Sequence, residues 1–195
     1  MQEPKKGHWD VAMHVLQYLK SSPGSGIILP SENDLQLVAF CDSDWASCPL
    51  TRRSVFGYLM KLGSVLVSWK TKKQTIVSRS SSEAEYRSMA HATSEILWLR
   101  NLLSCLQVMC DSPTTLYYDN QAALHLAANS VYHERTKHIE VDCHFIWEHL
   151  QARAISTAYV PTKQQPADIF TKSLVGNQFK ELIVKLGVHH MHTPT

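Results

Sequence analysis

The chain has 195 residues, of which 44% are hydrophobic, and a formal net charge of +2. This length and composition predict one globular domain with a short additional segment. No apolar run approaches the roughly 18 residues of a membrane span, and the first residues, MQEPKKGHWD, form no hydrophobic signal segment. The sequence therefore excludes a membrane span and predicts an intracellular protein, in which any affinity for nucleic acid depends on local basic patches.

The cysteine and histidine patterns give no metal-binding motif. The cysteines at positions 41, 48, 105, 110 and 143 are odd in number and lack paired spacing, which favours free thiols. The histidines at positions 133, 138, 144 and 149 are separated by five or six residues, so they do not share one helical face. The tryptophans at positions 45, 69, 98 and 147 are predicted to lie mostly in the core.

The first residues predict a helix that ends at a break. Apolar residues recur at helical spacing between His8 and Lys20, whereas SSPGSG at 21–26 cannot continue a helix. We therefore treat residues 1–30 as a helical appendage, residues 31–188 as a compact body and residues 189–195 as a polar tail.

Three strands are predicted at the start of the body. LQLVAFCD has apolar residues on both faces, which is typical of a central strand, and Asp42 lies at its end. RSVFGYLMKL and SVLVSWKTKK follow and are separated by a turn around Gly63. The pattern predicts a hairpin, and hence three antiparallel strands.

A long helix is predicted from the serine-rich segment SRSSSE to about position 106. Glu85 lies on an apolar stripe with Met89 and Ile96, at the spacing of an amphipathic helix. Glu83 instead pairs with Arg87 in an i, i+4 pattern typical of a solvent-facing surface. The register therefore predicts that Glu85 faces the sheet and that Glu83 faces solvent.

The second half alternates strands and helices, which implies parallel strands with right-handed crossovers. TTLYYDN predicts a strand that ends at Asp119. A brief helix is predicted after it in QAALHLAAN, and a longer helix in KHIEVDCHFIWEHLQA. AISTAYVP predicts the last strand, and PADIFTKSL predicts a helix that begins at Pro166. The order βββαβαβα gives an α/β fold with a mixed five-stranded sheet flanked by helices.

Four acidic residues lie at separate junctions of these elements: Asp42, Glu85, Asp119 and Asp168. Carboxylates at the ends of buried strands are costly unless they are neutralised, and a divalent cation with oxygen ligands does this. Acids that are far apart in sequence but able to converge in space predict a metal-dependent nuclease. Asp44 is the alternative to Asp42, but its position where the strand gives way to a turn favours a capping role.

Five motifs resemble the ribonuclease H region of copia-type LTR retrotransposon polyproteins, especially those of plants: FCDSDWASCPLTRRSVFGYL, VSRSSSEAEYRSMA, YYDNQAAL, HERTKHIEVDCHFI and YVPTKQQPADIFTK. The resemblance covers about residues 36–187, and HWDVAMHVLQYLKSSPGSGI is similar to the tail of the adjoining reverse transcriptase. It implies a ribonuclease H-like fold. The implied partners are an RNA·DNA hybrid and the reverse transcriptase part of the polyprotein, with no membrane and no small-molecule cofactor. The implied location is the cytoplasm, in a virus-like particle, or the nucleus.

The resemblance also implies an activity, which is endonucleolytic cleavage of the RNA strand of an RNA·DNA hybrid. Two Mg²⁺ ions, for which Mn²⁺ can substitute, would be held by the four acids. Asp42 would bridge both ions, Glu85 and Asp119 would hold the leaving-group side, and Asp168 would hold the nucleophile side.

Contacts with nucleic acid are predicted at Arg52, Arg53, Asn120, Gln121 and Lys163. Asn120 and Gln121, together with Glu85, would contact the 2′-hydroxyls that distinguish RNA from DNA. The arginines would bind phosphate or else only solvate a strand edge. The loop at 161–167 lacks the histidine common in cellular ribonucleases H, and the residues at 106–115 form no basic handle. Weak binding by the chain alone follows.

Three functions stay open on this evidence. The first is an active hybrid-specific endonuclease. The second is a catalytically weak or inactive binding or connection module of the same fold, from a relic element. The third is another nuclease of this fold, such as an integrase, in which the glutamate would be the last of three acids. Here the glutamate is second of four, which disfavours an integrase, and the presence of all four acids favours an active enzyme.

Overall fold

The computed structural model describes residues 3–120 and 139–190. The helices are α1 (Lys6–Ser21), α2 (Ser81–Cys105), α3 (Glu140–Gln151) and α4 (Gly176–Lys185), with 3₁₀ helices at Thr162–Gln164 and Pro166–Phe170. The strands are β1 (Ser25–Ile27), β2 (Leu37–Asp44), β3 (Val55–Leu62), β4 (Val65–Lys73), β5 (Thr114–Tyr118), β6 (Ile155–Tyr159) and β7 (Val188–His190). The helix predicted in QAALHLAAN lies outside the described residues, as do Gln121 and the sequence RTKH at 135–138, a basic patch that could also contact nucleic acid.

The main sheet has five strands in the order β4-β3-β2-β5-β6. β2 pairs antiparallel with β3, and β3 with β4, whereas β2–β5 and β5–β6 are parallel pairs. The predicted mixed five-stranded sheet and the central place of β2 are therefore confirmed. Because β2 and β5 are parallel neighbours, their carboxyl ends meet at the same edge of the sheet.

The two faces of the sheet are covered unequally. α2 and α3 pack on one face over the larger core, to which Tyr58 and Met60 of β3 contribute. Leu59, between them, points to the other face and joins a smaller cluster with Leu66 and Leu186. The apolar residues that recur at helical spacing in the segment predicted as this helix are buried or partly buried: Ile139, Cys143, Ile146 and Leu150.

α2 begins as the serine-rich segment predicts, with Ser80 as its N-cap accepting a hydrogen bond from the backbone N–H of Glu83 at 3.1 Å. The predicted solvent-facing position of Glu83 is wrong, because this residue is only 7% exposed. Its carboxylate accepts from the backbone N–H of Arg79 at 2.7 Å and from the guanidinium of Arg87 at 3.0 Å. The predicted i, i+4 pair is therefore confirmed, and these bonds make the burial tolerable.

The predicted core placement of the tryptophans is wrong in the described structure. Trp45, Trp69 and Trp98 are each about half exposed, and Trp147 is partly buried. Trp69 lies on the edge strand β4, and the indole N–H of Trp45 donates to the carbonyl of Ser78 at 3.0 Å. A large ring can thus cover the surface while its polar atom is satisfied. All five cysteines lie in the described residues, and none of them forms a disulfide there, as predicted.

The N-terminal helix is confirmed as α1, and none of its residues is buried. The segment after it is attached to the other end of the chain, because β1 pairs antiparallel with β7 as a two-stranded sheet. The rings of Tyr18 and Phe179 add an edge contact, with centroids 6.1 Å apart. The division of the chain at residues 30 and 188 stays a prediction. Within the described residues, no helix is long and apolar enough to cross a membrane.

Candidate metal centre

Three of the four predicted acids converge at the carboxyl edge of β2 and β5. Asp42 lies near the end of β2, Asp119 directly follows β5, and Glu85 projects from the first turns of α2. Each offers a carboxylate oxygen, and these atoms all lie within 4.8 Å of one another. Asp42 is 1% exposed and Glu85 is 7% exposed, so two of the three carboxylates are nearly removed from water.

Buried polar contacts fix the start of α2 against the sheet. The hydroxyl of Ser88 donates to the backbone carbonyl of Asp42 at 2.9 Å. The side-chain amide of Gln74, beyond the end of β4, donates to the carbonyl of Ala84 at 2.9 Å. Both bonds are buried, so they specify the register of the helix, and Glu85 is thereby aimed at the end of β2.

Asp168 reaches this cluster through a lysine. The ammonium of Lys172 donates to Oδ1 of Asp168 at 2.6 Å and lies 3.3 Å from Oδ1 of Asp42. The hydroxyl of Thr171 also donates to the carboxylate of Asp42. Sequence reasoning missed Lys172, although its position four residues after Asp168 in PADIFTK was a usable signal for an ion pair.

The segment that carries Asp168 is tied to β2 by a buried glutamine. The side-chain amide of Gln165 donates to the carbonyl of Cys41 at 3.0 Å, while its Oε1 accepts from the backbone N–H of Ala167 at 3.2 Å. The predicted start at Pro166 is confirmed, but the element is a five-residue 3₁₀ helix that ends at Phe170. The prediction of one helix through PADIFTKSL is therefore wrong.

A glycine explains how close this segment can come. Gly57 lies directly opposite Asp42 in the β2–β3 register. A Cβ atom at Gly57 would lie 2.5 Å from the Cβ of Phe170 and 3.0 Å from Cγ2 of Thr171. Only glycine allows this approach without a shift, and the approach places Thr171 and Lys172 against Asp42.

Burial dominates the electrostatics of the cluster. It raises the pKa of Asp42, and it raises the pKa of Glu85 well above its ordinary value, with the charges of Asp42 and Asp119 adding to the effect. Burial also raises the pKa of Asp168 to about 6. For Lys172, burial lowers the pKa, but the hydrogen bond to Asp168 and the surrounding carboxylates outweigh burial and raise it. Within the described residues, one ammonium thus faces four carboxyl groups, so the centre attracts further positive charge.

The donor set fits a divalent cation. Oε2 of Glu85 is buried and has no hydrogen-bond partner among the described residues, which leaves a carboxylate oxygen available as a ligand. Asp42 and Asp119 supply further hard oxygen donors within 4.8 Å, the ligand type that Mg²⁺ and Mn²⁺ prefer. The carboxylates open on a surface cleft whose other lining residues are Ser43, Asn120, Tyr159 and Lys172.

The residues predicted to contact nucleic acid are placed as follows. Asn120 lines the cleft next to the carboxylates, whereas Gln121 lies outside the described residues. Arg52 and Arg53 are exposed in the loop between β2 and β3, and Lys163 is exposed in the 3₁₀ helix after β6. Their roles stay predictions. Sequence reasoning did not identify Tyr159, which ends β6 at the cleft.

Comparison with solved structures identifies the class of fold. The chain is similar to LC11-RNase H1, isolated from compost by a metagenomic approach, with a TM-score of 0.53 and 12% identity. The likeness covers 76% of this chain and 99% of that one. At this identity the comparison concerns the fold alone, and with the observed sheet order it defines a ribonuclease H-like α/β domain.

Comparison with curated proteins identifies homologues of the chain. The chain is 42% identical over 188 residues to the retrovirus-related Pol polyprotein from transposon RE2 of Arabidopsis thaliana, covering 96% of this chain and 13% of the relative. It is 32% identical over 189 residues to the retrovirus-related Pol polyprotein from transposon TNT 1-94 of Nicotiana tabacum. This match covers 97% of this chain and 14% of the relative. Over nearly its whole length the chain is homologous to part of these copia-type Pol polyproteins of plant transposons, and it spans about one-seventh of their length. No protein-family model matches the chain.

Proposed function

We propose that the chain is a ribonuclease H that cleaves the RNA strand of RNA·DNA hybrids during retrotransposon reverse transcription, with divalent metal as cofactor. The observation that carries this proposal is the convergence of Asp42, Glu85 and Asp119 within 4.8 Å, with a buried oxygen of Glu85 that has no hydrogen-bond partner in the described part of the chain. The ribonuclease H-like fold and the homology with Pol polyproteins support it.

The four acids would share the work of holding metal. Asp42, Glu85 and Asp119 would bind one ion, and Asp42 with Asp168 would bind a second. Bound Mg²⁺ or Mn²⁺ would supply Lewis-acid stabilisation of the phosphate and activation of the attacking water. The protein's own contribution is preorganisation, because the hydrogen bonds of Ser88 and Gln165 to the backbone of β2 hold the carboxylate-bearing elements in place before any ligand arrives.

The cleft next to the carboxylates would take the hybrid. Asn120 lines it, and with Glu85 this residue would contact the 2′-hydroxyl of the RNA strand. Arg52, Arg53 and Lys163 would contact phosphate. With a net charge of only +2, the chain alone would bind weakly, and the reverse transcriptase part of the polyprotein would supply additional affinity. A cytoplasmic virus-like particle or the nucleus is the proposed location.

The test is cleavage of a hybrid whose RNA strand is end-labelled. We expect cleavage with Mg²⁺ or Mn²⁺, none in EDTA, and none of double-stranded DNA of the same sequence. Asp42→Asn is the matched control, since it keeps the side-chain shape but removes the central carboxylate charge. Equal cleavage of the DNA duplex, or cleavage that survives chelation or Asp42→Asn, would contradict the proposal.

One observation favours the alternative of a catalytically weak or inactive module. The ammonium of Lys172 lies between Asp42 and Asp168, where the second ion would bind. An inactive module would bind the hybrid without cleaving it at any metal concentration. Cleavage by the wild-type chain that is lost in Asp42→Asn excludes an inactive module.

A further inference from the structure

Lys172 has a placement that no step of the proposed reaction uses. Its ammonium lies 2.6 Å from Oδ1 of Asp168 and 3.3 Å from Oδ1 of Asp42, so one nitrogen contacts both carboxylates that would hold the second ion. Its side chain is 33% exposed and lines the cleft, whereas both acid side chains are 2% exposed. The charge thus reaches the acids from the solvent side, on a flexible stem.

We infer that Lys172 is an internal counter-cation, which neutralises Asp42 and Asp168 in the metal-free protein and must move away before a second divalent ion can bind there. This inference rests on the proposed function, because it concerns metal binding at the same centre. An ammonium and a divalent ion cannot both contact these two oxygens, since they would occupy the same space and repel each other.

The two metal positions should therefore differ in affinity. The position formed by Glu85, Asp119 and Asp42 contains the unpartnered Oε2 of Glu85, and no ammonium contact to Glu85 or Asp119 is found in the described part of the chain. The position between Asp42 and Asp168 is closed by Lys172. Ions should bind in sequence, first where an oxygen is free and then, more weakly, where the lysine must leave.

The displaced lysine has a natural alternative partner in the cleft. A phosphate of the bound nucleic acid would accept the ammonium, which is a point-charge donor suited to phosphate. Binding of the second ion should then favour binding of the hybrid, because the ion removes Lys172 from the carboxylates. Binding of the hybrid should favour binding of the second ion, because it offers Lys172 a new partner.

The experiment measures binding of Mn²⁺ itself, by calorimetry and by the electron paramagnetic resonance signal of the free ion. Lys172→Met keeps the length of the stem and removes the charge, and Lys180→Met is the matched control on the exposed part of α4. We expect wild type and Lys180→Met to bind one Mn²⁺ and a second at least about 10-fold more weakly. Lys172→Met should tighten the second event by about 10-fold or more.

Thermal melts separate this role from a merely structural salt bridge. In EDTA, Lys172→Met should melt below wild type, because two buried carboxylates lose their counter-charge, and saturating Mn²⁺ should abolish the difference. A lower melting temperature at every Mn²⁺ concentration, with unchanged Mn²⁺ affinities, would overturn the inference. Lys172→Gln keeps a hydrogen-bond donor near Asp168 and serves if the methionine variant does not fold.

Failure of the inference is distinguishable from failure of the proposed function. Unchanged Mn²⁺ binding in both Lys172 variants, with metal-dependent hybrid cleavage by wild type, would overturn the role of Lys172 and leave the ribonuclease intact. Tighter second-ion binding in the variants, without hybrid cleavage by any form, would support the role of Lys172 and reject the ribonuclease. Two Mn²⁺ ions of equal affinity in wild type would also overturn the inference.

Discussion

Replacing Glu85 by Gln separates the stability of the metal centre from its activity. Glu85→Gln removes one negative charge from three carboxylates that lie within 4.8 Å, and it puts an amide where a ligand oxygen was. We expect hybrid cleavage to fall by more than about 100-fold, because changes of outer-shell partners alone commonly cost 10- to 100-fold. We also expect the metal-free protein to become more stable.

The magnitude of the stability gain follows from the geometry. Two ionised carboxylates at the 4.8 Å upper limit of this cluster repel by about 3.5 kcal/mol at an effective dielectric constant of 20. Burial raises the pKa of Glu85 well above its ordinary value, so protonation already relieves part of this repulsion. The new amide can donate to Asp42 or Asp119, which avoids an unsatisfied donor. We therefore expect the free energy of unfolding in EDTA to rise by about 1 kcal/mol.

The neighbouring Glu83 is the matched control. Its carboxylate lies 2.7 Å from the backbone N–H of Arg79 and 3.0 Å from the guanidinium of Arg87, outside the metal cluster. Glu83→Gln keeps one acceptor and loses the ion pair, so we expect it to lower the free energy of unfolding by about 1 kcal/mol and to leave hybrid cleavage nearly intact. The two isosteric changes, two positions apart, should have opposite effects on stability.

The assay combines thermal melts in EDTA and in Mg²⁺ with cleavage of labelled hybrid by both variants. Wild type should gain about 2.7 kcal/mol at an Mg²⁺ concentration 100 times its dissociation constant, and Glu85→Gln should gain much less at the same concentration. An inactive Glu83→Gln beside an active Glu85→Gln would refute the helix register and the metal assignment. A Glu85→Gln protein with a full Mg²⁺ response would refute the role of Glu85 alone.

Two further predictions concern the segment around Asp168 and the binding of nucleic acid. Gly57→Ala should lower the free energy of unfolding by about 1–3 kcal/mol and weaken Mn²⁺ binding in calorimetry, because the new Cβ would lie 2.5 Å from Phe170. Gly176→Ala is the control, since its new Cβ would have no atom within 4 Å, and it should leave both quantities nearly unchanged. Equal effects would show that the close approach is not needed. Replacing Arg52 and Arg53 by Ala should weaken hybrid binding and reduce its salt dependence in fluorescence anisotropy; unchanged binding would assign both to the solvated strand edge.

The sequence predicted the sheet and the convergence of three acids because these depend on local pattern. Apolar residues on both faces of β2 indicate a central strand, and an acid at the end of a central strand must approach the end of its parallel neighbour. The apolar stripe of α2 placed Glu85 correctly. The same reasoning failed for Glu83, because an apolar stripe does not reveal that Arg79 and Arg87 can satisfy a buried carboxylate.

Lys172 could not be placed from pattern, because its partner Asp42 lies 130 positions away in sequence. The i, i+4 spacing indicated only the pair with Asp168. The contact with Asp42 depends on the short 3₁₀ helix and on the approach of Phe170 to Gly57. The sequence signals these two features only through Pro166 and one glycine in a strand. The type of helix and the environment of Lys172 therefore depend on a tertiary contact.

The charges of the centre imply that the ammonium of Lys172 and added divalent ions compete for the same carboxylates. Buried hydrogen bonds to the backbone of β2 hold the carboxylates together without metal, and Lys172 offsets part of their repulsion. Removing a carboxylate at Glu85 should thus stabilise the metal-free protein, whereas removing the ammonium at Lys172 should destabilise it. Both differences in the free energy of unfolding between variant and wild type should change as metal is added. Added ions take the place of the Lys172 ammonium, and they require the Glu85 carboxylate as a ligand. We expect the two variants to differ from wild type with opposite signs in EDTA. In Mn²⁺ the difference should vanish for the Lys172 variant and reverse for the Glu85 variant, which is the signature of a centre strained for function.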